Sequence, residues 1–273
     1  MSQAIPFYKM QASGNDFVVI DNRKNIIRDP YRFTQKVCAP HVGVGADGVL
    51  LFENSKRASF RMRILNSDGS EAEACGNGFR CIARFAKEIF HYPSEFRFES
   101  YSGMIQTRIR GNLIRVQLVV PSQIRLHDEI QVLGHRLHYS FINTGVPHTV
   151  IFVEGLAKIE VETLGRAIRQ HKVFKPKGTN VNFVEVKNRN EIHVRTYERG
   201  VERETLACGT GSSGSAVVSS LLQYACPPVK VKTGGGEILT IDFKKKGNKI
   251  VDVTLEGEAH FVYEGKLYSG KEN

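Results

Sequence analysis

Two stretches of the sequence place a cysteine in the same short turn: EAEACGNGFRCIARFAKEIF at residues 71–90 and ERETLACGTGSSGSAVVSSLLQYA at residues 202–225. Each contains A-C-G-x-G, with acidic residues before it and apolar residues at helical spacing after it. Aligning the cysteines also aligns other small and apolar residues: Gly76 with Gly209, Gly78 with Gly211, Ala83 with Ala216, Phe85 with Val218, and Ile89 with Leu222. The sequence therefore predicts a duplicated unit with one buried helix in each half.

Strand patterns fill most of the remaining chain. Apolar residues alternate with period two at residues 105–109 and 114–120, on either side of a Gly111-Asn112 turn, which predicts a hairpin. Further alternation, typical of strands, occurs in three later runs: 192–196, 239–243 and 251–261. Weaker helical periodicity occurs near residues 31–38 and 161–170. These elements predict the α+β class, with strands around a central helix in each half.

A second, weaker repeat links NDFVVIDNR, which starts at Asn15, with NVNFVEVKNR, which starts at Asn180. Its spacing to the cysteine differs between the halves, so insertions are expected between them. We place the domain boundary near Pro121: residues 1–120 form the half that carries Cys75, and residues 121–261 the half that carries Cys208. The last strand, at about residues 262–273, is a candidate to complete the first half.

The composition argues against a nucleic-acid or membrane protein. The net charge of the 273-residue chain is +10, but Lys and Arg are spread singly, with one run at residues 244–246, which indicates a solvated surface. The first residues, MSQAIPFYKM, lack the pattern of a secretory signal, and no apolar run of 18 residues is present. We predict a cytoplasmic protein with a small-molecule substrate.

The cysteine count favours free thiols. Five cysteines form an odd set without C-x-x-C pairs, which fits neither a disulfide framework nor a zinc ribbon. We therefore expect no metal site. Cys38, Cys81 and Cys226 are expected to pack in the core.

A thiol immediately before a helix lies where free backbone N–H groups and the helix dipole favour negative charge. The same N–H groups can hold a carboxylate, and the glycines allow a ligand close to the backbone. If the two halves face each other across a cleft, one thiolate can remove a proton from a carbon while the other thiol delivers one to the opposite face. The duplication thus predicts racemisation or epimerisation without a cofactor.

At the level of motifs, the chain resembles the diaminopimelate epimerase family. SGNDFVVID, GVGADG, NSDGSEAEACGNGFRC, TGVPH, GTNVNF, YERG and ETLACGTG occur in the family's order, so the resemblance covers nearly the whole chain. It implies two pseudo-symmetric domains, each a mainly antiparallel, barrel-like sheet around a central helix. It also implies interconversion of LL- and meso-2,6-diaminopimelate in lysine and peptidoglycan biosynthesis, without pyridoxal phosphate or metal, with a homodimer as the candidate assembly.

The resemblance assigns roles to individual residues. It implies that Cys75 and Cys208 are the catalytic thiols and that His148 and Glu198 are important for catalysis. It implies nine substrate-binding residues: Asn15, Asn66, Gly76, Asn77, Asn180, Glu198, Arg199, Gly209 and Thr210. The residues that begin the two helices would hold the reacting carboxylate, and the other asparagines would bind the distal end. Amides with one Arg and one Glu suit a ligand with two carboxylates and two ammonium groups.

Three positions differ from common forms of the family pattern. Gly48 stands where many members have Gln, and Val146 where many have Asn. The segment VERETLA, which lies between YERG and Cys208, is one residue longer than the segment that is frequent in the family. Because Gly48 and Val146 loosen the distal site, a broader amino acid racemase acting for instance on glutamate is kept as an alternative. A proline or hydroxyproline racemase is a further alternative, since it shares the fold and the two-thiol logic. A thiol redox module with a Cys75–Cys208 disulfide is the alternative from another class.

Overall fold

The computed structural model describes residues 4–247 and 249–268. The strands in this part of the chain are β1 (Ala4–Ala12), β2 (Asn15–Asp21), β3 (Gly48–Glu53), β4 (Arg61–Asn66), β5 (Glu95–Ser100), β6 (Gly103–Arg110), β7 (Leu113–Gln117), β8 (Ser122–Val132), β9 (His135–Asn143), β10 (Pro147–Phe152), β11 (Asn180–Asn188), β12 (Glu191–Glu198), β13 (Arg203–Thr205), β14 (Val229–Lys232), β15 (Ile238–Lys246), β16 (Lys249–Glu258) and β17 (His260–Tyr268). The α-helices are α1 (Pro30–Cys38), α2 (Gly76–Phe90), α3 (Val161–Arg169) and α4 (Gly209–Leu221).

The chain divides into two units. The first runs to Val116 and resumes at Gly257, and the second runs from Gln117 to Glu256. The sequence-based boundaries were near Pro121 and residue 262. Strand β17 belongs to the first unit through its antiparallel pairing with β1. Residues 269–273 of the expected last strand lie outside the described residues.

The first unit is one sheet in the order β17-β1-β2-β3-β4-β5-β6-β7. Neighbouring strands are antiparallel except at β2–β3 and β4–β5, which are parallel. Helix α1 connects the first parallel pair and α2 connects the second. This follows from geometry, because parallel neighbours need a long crossover connection.

The second unit repeats this topology. Its order is β8-β9-β10-β11-β12-β14-β15-β16, with parallel pairs at β10–β11 and β12–β14. Helices α3 and α4 connect these two pairs, as α1 and α2 do in the first unit. The short strand β13 is an addition that pairs with the end of β12. The predicted α+β duplication is confirmed.

Each sheet encloses one helix. Helix α2 contacts β1, β2, β3 and β6, and α4 contacts β9, β10, β11, β12, β14 and β15, so each helix packs against strands from distant parts of its sheet. On α2, Phe79, Ile82 and Phe85 are buried together with the small residues between them. Burying each such side chain contributes roughly 1.5–3 kcal/mol. Helix α4 consists of Gly, Ser, Thr, Ala, Val and one Leu, which lets the surrounding strands approach closely.

Three sequence-based expectations are corrected. The repeat that begins at Asn15 and Asn180 joins strands that are not equivalent, because β2 corresponds to β10 and β11 corresponds to β3. Both are buried strands, whose apolar runs look alike wherever they occur. The run at residues 251–261 is split between β16 and β17. Cys226 is exposed, since it lies in the turn between α4 and β14, whereas Cys38 and Cys81 are buried as predicted.

Candidate active site

Cys75 is the N-cap residue of α2. Its Sγ accepts a hydrogen bond from the Gly78 N–H at 3.5 Å, and its thiol donates to Asn15 Oδ1 at 3.6 Å. The amide of Asn15 is oriented by Asp47, whose carboxylate accepts from Asn15 Nδ2 at 2.7 Å. Because a carboxylate takes the Nδ2 side, the Oδ1 of Asn15 faces the sulfur. Asp47 therefore acts on Cys75 through one amide.

Cys208 is the N-cap residue of α4 and is 7% exposed. Its Sγ lies 3.4 Å from the Thr210 hydroxyl. Both thiols thus occupy the same backbone position, one residue before a helix, where the first N–H groups have no partner within the helix. Gly76 and Gly209 supply the first of these N–H groups in their helices. Each turn can therefore hold an anion such as a carboxylate.

The predicted binding residues fall at equivalent strand ends of the two units. In the first unit Asn66 pairs with Gly48. In the second, the ladder that pairs Val181 with Tyr197 brings Asn180 and Glu198 to the corresponding ends. Gly48 and Asn66 thus correspond to Asn180 and Glu198. The two units therefore repeat these strand-end positions as well as the cysteine turns.

Strands β2 and β10 correspond in the same way, since each is the parallel partner of one of these strands. Phe17 lies opposite Gly48 as His148 lies opposite Asn180. Two residues earlier, Asn15 in the first unit corresponds to Val146 in the second.

A steric contact accounts for Gly48. A Cβ at this residue would lie 2.5 Å from the Leu65 carbonyl oxygen, closer than non-bonded atoms allow. A larger side chain such as glutamine therefore does not fit this backbone without a shift. Asn66, on the paired strand, is exposed, and its Nδ2 donates to Ser70 Oγ at 3.0 Å.

Asn180, Glu198 and Arg199 lie together in the second unit. The Asn180 Oδ1 accepts from the backbone N–H of Arg199 at 2.7 Å, and the Arg199 guanidinium donates to the Lys177 carbonyl at 3.1 Å. Glu198 accepts from the Thr205 hydroxyl at 3.0 Å. The structure thus brings these three residues together, with the side chains of Glu198 and Arg199 half-buried.

His148 is completely buried, and its Nε2 lies 3.1 Å from the Thr210 hydroxyl, which in turn contacts Cys208. Burial, and secondarily the nearby charge of Arg199, lower the pKa of His148 from 6.5 to about 3. The imidazole is therefore neutral at physiological pH. The Thr210 hydroxyl therefore links this imidazole to Cys208.

Sequence reasoning missed three residues near the thiols. Asp47 orients Asn15, and the fully buried Arg80 donates to Asn77 Oδ1 at 2.7 Å. Asn182 is fully buried beside His148. Asp47 and Asn182 lie within GVGADG and GTNVNF, and Arg80 follows A-C-G-x-G. For Arg80 and Asn182 the available signal was a polar side chain within a buried segment, because buried polar groups are normally hydrogen-bonded, whereas the exposed Asp47 gave no such signal.

Within residues 4–247 and 249–268, no group of three or more His, Cys, Asp or Glu residues is arranged to hold a metal ion. None of the helices described is long and apolar enough to cross a membrane. None of the five cysteines, all of which lie within the described residues, forms a disulfide.

The chain matches the family model described as diaminopimelate epimerase over residues 7–119 and 140–262. It is 47% identical to the diaminopimelate epimerase of Aquifex aeolicus (strain VF5), over 96% of this chain and 97% of that protein. Its fold is similar to a PhzF-family phenazine biosynthesis protein of Bacillus anthracis (TM-score 0.79, 16% identity, 98% of this chain and 100% of that one). It is also similar in fold to a hydroxyproline epimerase of Agrobacterium vitis (TM-score 0.72, 15% identity, 97% of this chain and 91% of that one). The chain belongs to the diaminopimelate epimerase family.

Proposed function

We propose that the protein is a diaminopimelate epimerase, which interconverts LL- and meso-2,6-diaminopimelate with two cysteines as its acid and base. The observation that carries this proposal is the placement of Cys75 and Cys208 as N-cap residues of equivalent helices. Family membership and the 47% identity to a protein named for this activity support the substrate.

In the proposed reaction one thiolate removes the proton from the α-carbon, so a C–H bond breaks and an S–H bond forms. The other thiol then gives its proton to the opposite face, so an S–H bond breaks and a C–H bond forms. Atoms and charge balance without an oxidant or reductant. Between the two steps the substrate carries negative charge next to its carboxylate. Donors fixed at the carboxylate oxygens stabilise that charge, and this is typically the largest contribution to such a reaction.

The backbone at Gly76, Asn77, Gly209 and Thr210 would supply these donors, since all four residues begin a helix after a cysteine. The distal end of the substrate carries one carboxylate and one ammonium group. Arg199 and Glu198 would bind these two groups through charge-assisted hydrogen bonds. Neutral amide hydrogen bonds would come from Asn15, Asn66 and Asn180.

The proposal includes the biological setting expected from the sequence. The product serves lysine and peptidoglycan biosynthesis, and the enzyme works in the cytoplasm as a homodimer. Five cysteines that form no disulfide suit a reducing compartment. Light scattering of the purified protein tests the dimer.

The first test is conversion of LL-diaminopimelate to the meso form by purified, reduced protein, with a chelator present and no cofactor added. Proline, hydroxyproline and glutamate are assayed in parallel, because the alternatives predict one of them as the better substrate. We expect turnover of diaminopimelate to exceed that of the other three by a wide margin. Preferred turnover of any of the others would assign the chain that substrate instead. A protein that is inert on all four substrates when reduced, and functional only when Cys75 and Cys208 are oxidised, would favour the redox alternative.

Deuterium labelling tests the two-base mechanism. In heavy water, early in the reaction, the newly formed epimer should carry deuterium at the inverted carbon, because the delivering thiol has exchanged with solvent. Unreacted substrate should retain its hydrogen. A single base would return label to substrate and product alike, so comparable early label in recovered substrate contradicts the proposal.

A further inference from the structure

Asn182, on β11, is completely buried and its amide orientation is fixed by its partners. Its Nδ2 donates to the Thr149 carbonyl at 3.0 Å, and its Oδ1 accepts from the Thr196 hydroxyl at 3.0 Å. A carbonyl oxygen can only accept, so the nitrogen must lie on the Thr149 side. The same Nδ2 lies 3.1 Å from His148 Nδ1.

This contact fixes the tautomer of His148. An amide nitrogen only donates, so His148 Nδ1 accepts and the single proton of the neutral ring is on Nε2. That Nε2–H donates to the Thr210 hydroxyl oxygen at 3.1 Å. The hydroxyl's own proton is then available to Cys208 Sγ at 3.4 Å. Four side chains thus form one directed chain of hydrogen bonds that ends at the sulfur.

The duplicated unit provides an internal comparison. A Cβ added to the glycine three residues after each cysteine would meet an equivalent strand residue, which is Asn182 at Gly211 and Leu50 at Gly78. Across the neighbouring strand, Asn182 pairs with Thr196 as Leu50 pairs with Ile64.

His148 likewise corresponds to Phe17 by its position in the parallel pair. The first unit therefore builds the same topology with Phe, Leu and Ile where the second has His, Asn and Thr. The fold does not require these polar residues. Burying His148 and Asn182 without a use would be unfavourable relative to apolar packing, which indicates a function at Cys208, while Thr196 provides a donor for the buried Asn182 Oδ1.

We propose that Asn182 is a positioning residue for Cys208: it sets the His148 tautomer, so that the Thr210 hydroxyl donates to the sulfur. A donor at the sulfur favours the thiolate over the thiol. Without Asn182, the His148 proton can move to Nδ1, and Thr210 can then donate to Nε2 instead of to Cys208. The inference rests on the proposed function only in taking Cys208 as an acid/base group.

The test is NMR of the full-length protein without substrate. Imidazole ¹⁵N shifts report the His148 tautomer, and ¹³Cβ shifts of cysteine report the titration of Cys208 and Cys75 in the same sample. Wild type should show His148 as the neutral Nε2–H form. Asn182→Leu, which copies Leu50 of the first unit, should lose the single tautomer. It should also raise the Cys208 titration midpoint by about one pH unit or more and leave Cys75 unchanged.

Thr196→Val is the matched control. It removes one hydrogen bond from the same Asn182 side chain but leaves both Nδ2 contacts, so the tautomer and the Cys208 midpoint should remain those of wild type. An Nδ1–H tautomer in wild type overturns the proposal, as does a folded Asn182→Leu protein with unchanged tautomer and Cys208 titration. If Asn182→Leu does not fold, the wild-type tautomer decides. Neither spectrum depends on turnover, so failure of the epimerase assay is distinguishable from failure of this inference.

Discussion

At the residue scale, the two thiols share a backbone position but differ in their surroundings. Cys75 contacts an amide held by a carboxylate, and Cys208 contacts a hydroxyl held by a buried neutral imidazole. The helix N-terminus is common to both, and therefore cannot by itself make one thiol differ from the other. Their neighbouring side chains do this.

The buried His148 predicts a specific acid sensitivity. In the unfolded chain it titrates at its ordinary pKa of 6.5, while its pKa in the folded protein is about 3. The unfolded state therefore binds an extra proton between these values. The free energy of unfolding therefore decreases as the pH falls from 6.5 toward 3, by up to about 1.4 kcal/mol per pH unit. His148→Gln should flatten this slope in urea unfolding measured across that range.

His135→Gln serves as the control for this series, since His135 is exposed and its loss should leave the slope as in wild type. Parallel stability curves for wild type and His148→Gln would show that His148 titrates normally in the folded protein.

The contribution of Arg199 to substrate binding should depend on the shape of its guanidinium group and not only on its charge. Arg199→Lys keeps the charge but loses the planar fork that can bind a carboxylate with two hydrogen bonds. We expect kcat/KM for diaminopimelate to fall roughly 10- to 100-fold, with unchanged circular dichroism. The exposed Arg203 provides the matched substitution, Arg203→Lys, which should have little effect. Near-normal kinetics of Arg199→Lys would remove Arg199 from the site.

At the scale of elements, one strand–helix–strand arrangement is used twice with different packing. The start of α2 packs on apolar side chains and the start of α4 packs on a hydrogen-bonded amide. The terminal methyl group of an apolar side chain can rotate away from a newly introduced Cβ. An amide held by several hydrogen bonds cannot move without breaking them.

Alanine at the equivalent glycines should therefore have unequal effects. In Gly78→Ala the new Cβ would lie 2.9 Å from the tip of Ile64, whereas in Gly211→Ala it would lie 2.3 Å from Asn182 Oδ1. We expect Gly78→Ala to change the free energy of unfolding by less than about 1 kcal/mol, and Gly211→Ala to lower it by roughly 1–3 kcal/mol. Urea denaturation of both variants measures the difference. Equal costs would mean that Asn182 is free to move.

At the scale of the whole molecule, the proposed chemistry needs one thiol from each unit. Cys75→Ala and Cys208→Ala should each reduce inversion in both directions by about 10²- to 10⁴-fold, since each direction needs one base and one acid. Measuring the rate from the LL and the meso substrate checks this. Cys81→Ala, at a buried cysteine on α2 outside the proposed chemistry, is the control and should retain epimerase activity. Substantial inversion in either of the first two variants would refute the two-base mechanism.

The sequence by itself determined the repeated cysteine turn, the α+β class, both central helices and the family. These depend on local periodicity and on motifs that are contiguous in the chain, so they can be read without coordinates. The Gly111-Asn112 hairpin between β6 and β7 belongs to the same group. The residues of the proposed site were likewise found from motifs, and their roles stay predictions.

Only the tertiary structure decided which side chains meet. Asp47 reaches Asn15, and Asn182 reaches His148, across parallel strand pairs whose partners are far apart in sequence. It also showed that the strands beginning at Asn15 and Asn180 are not equivalent. The physical reason is register: a shift of one residue between paired strands turns every side chain to the other face, and apolar patterns alone do not fix which residues lie opposite.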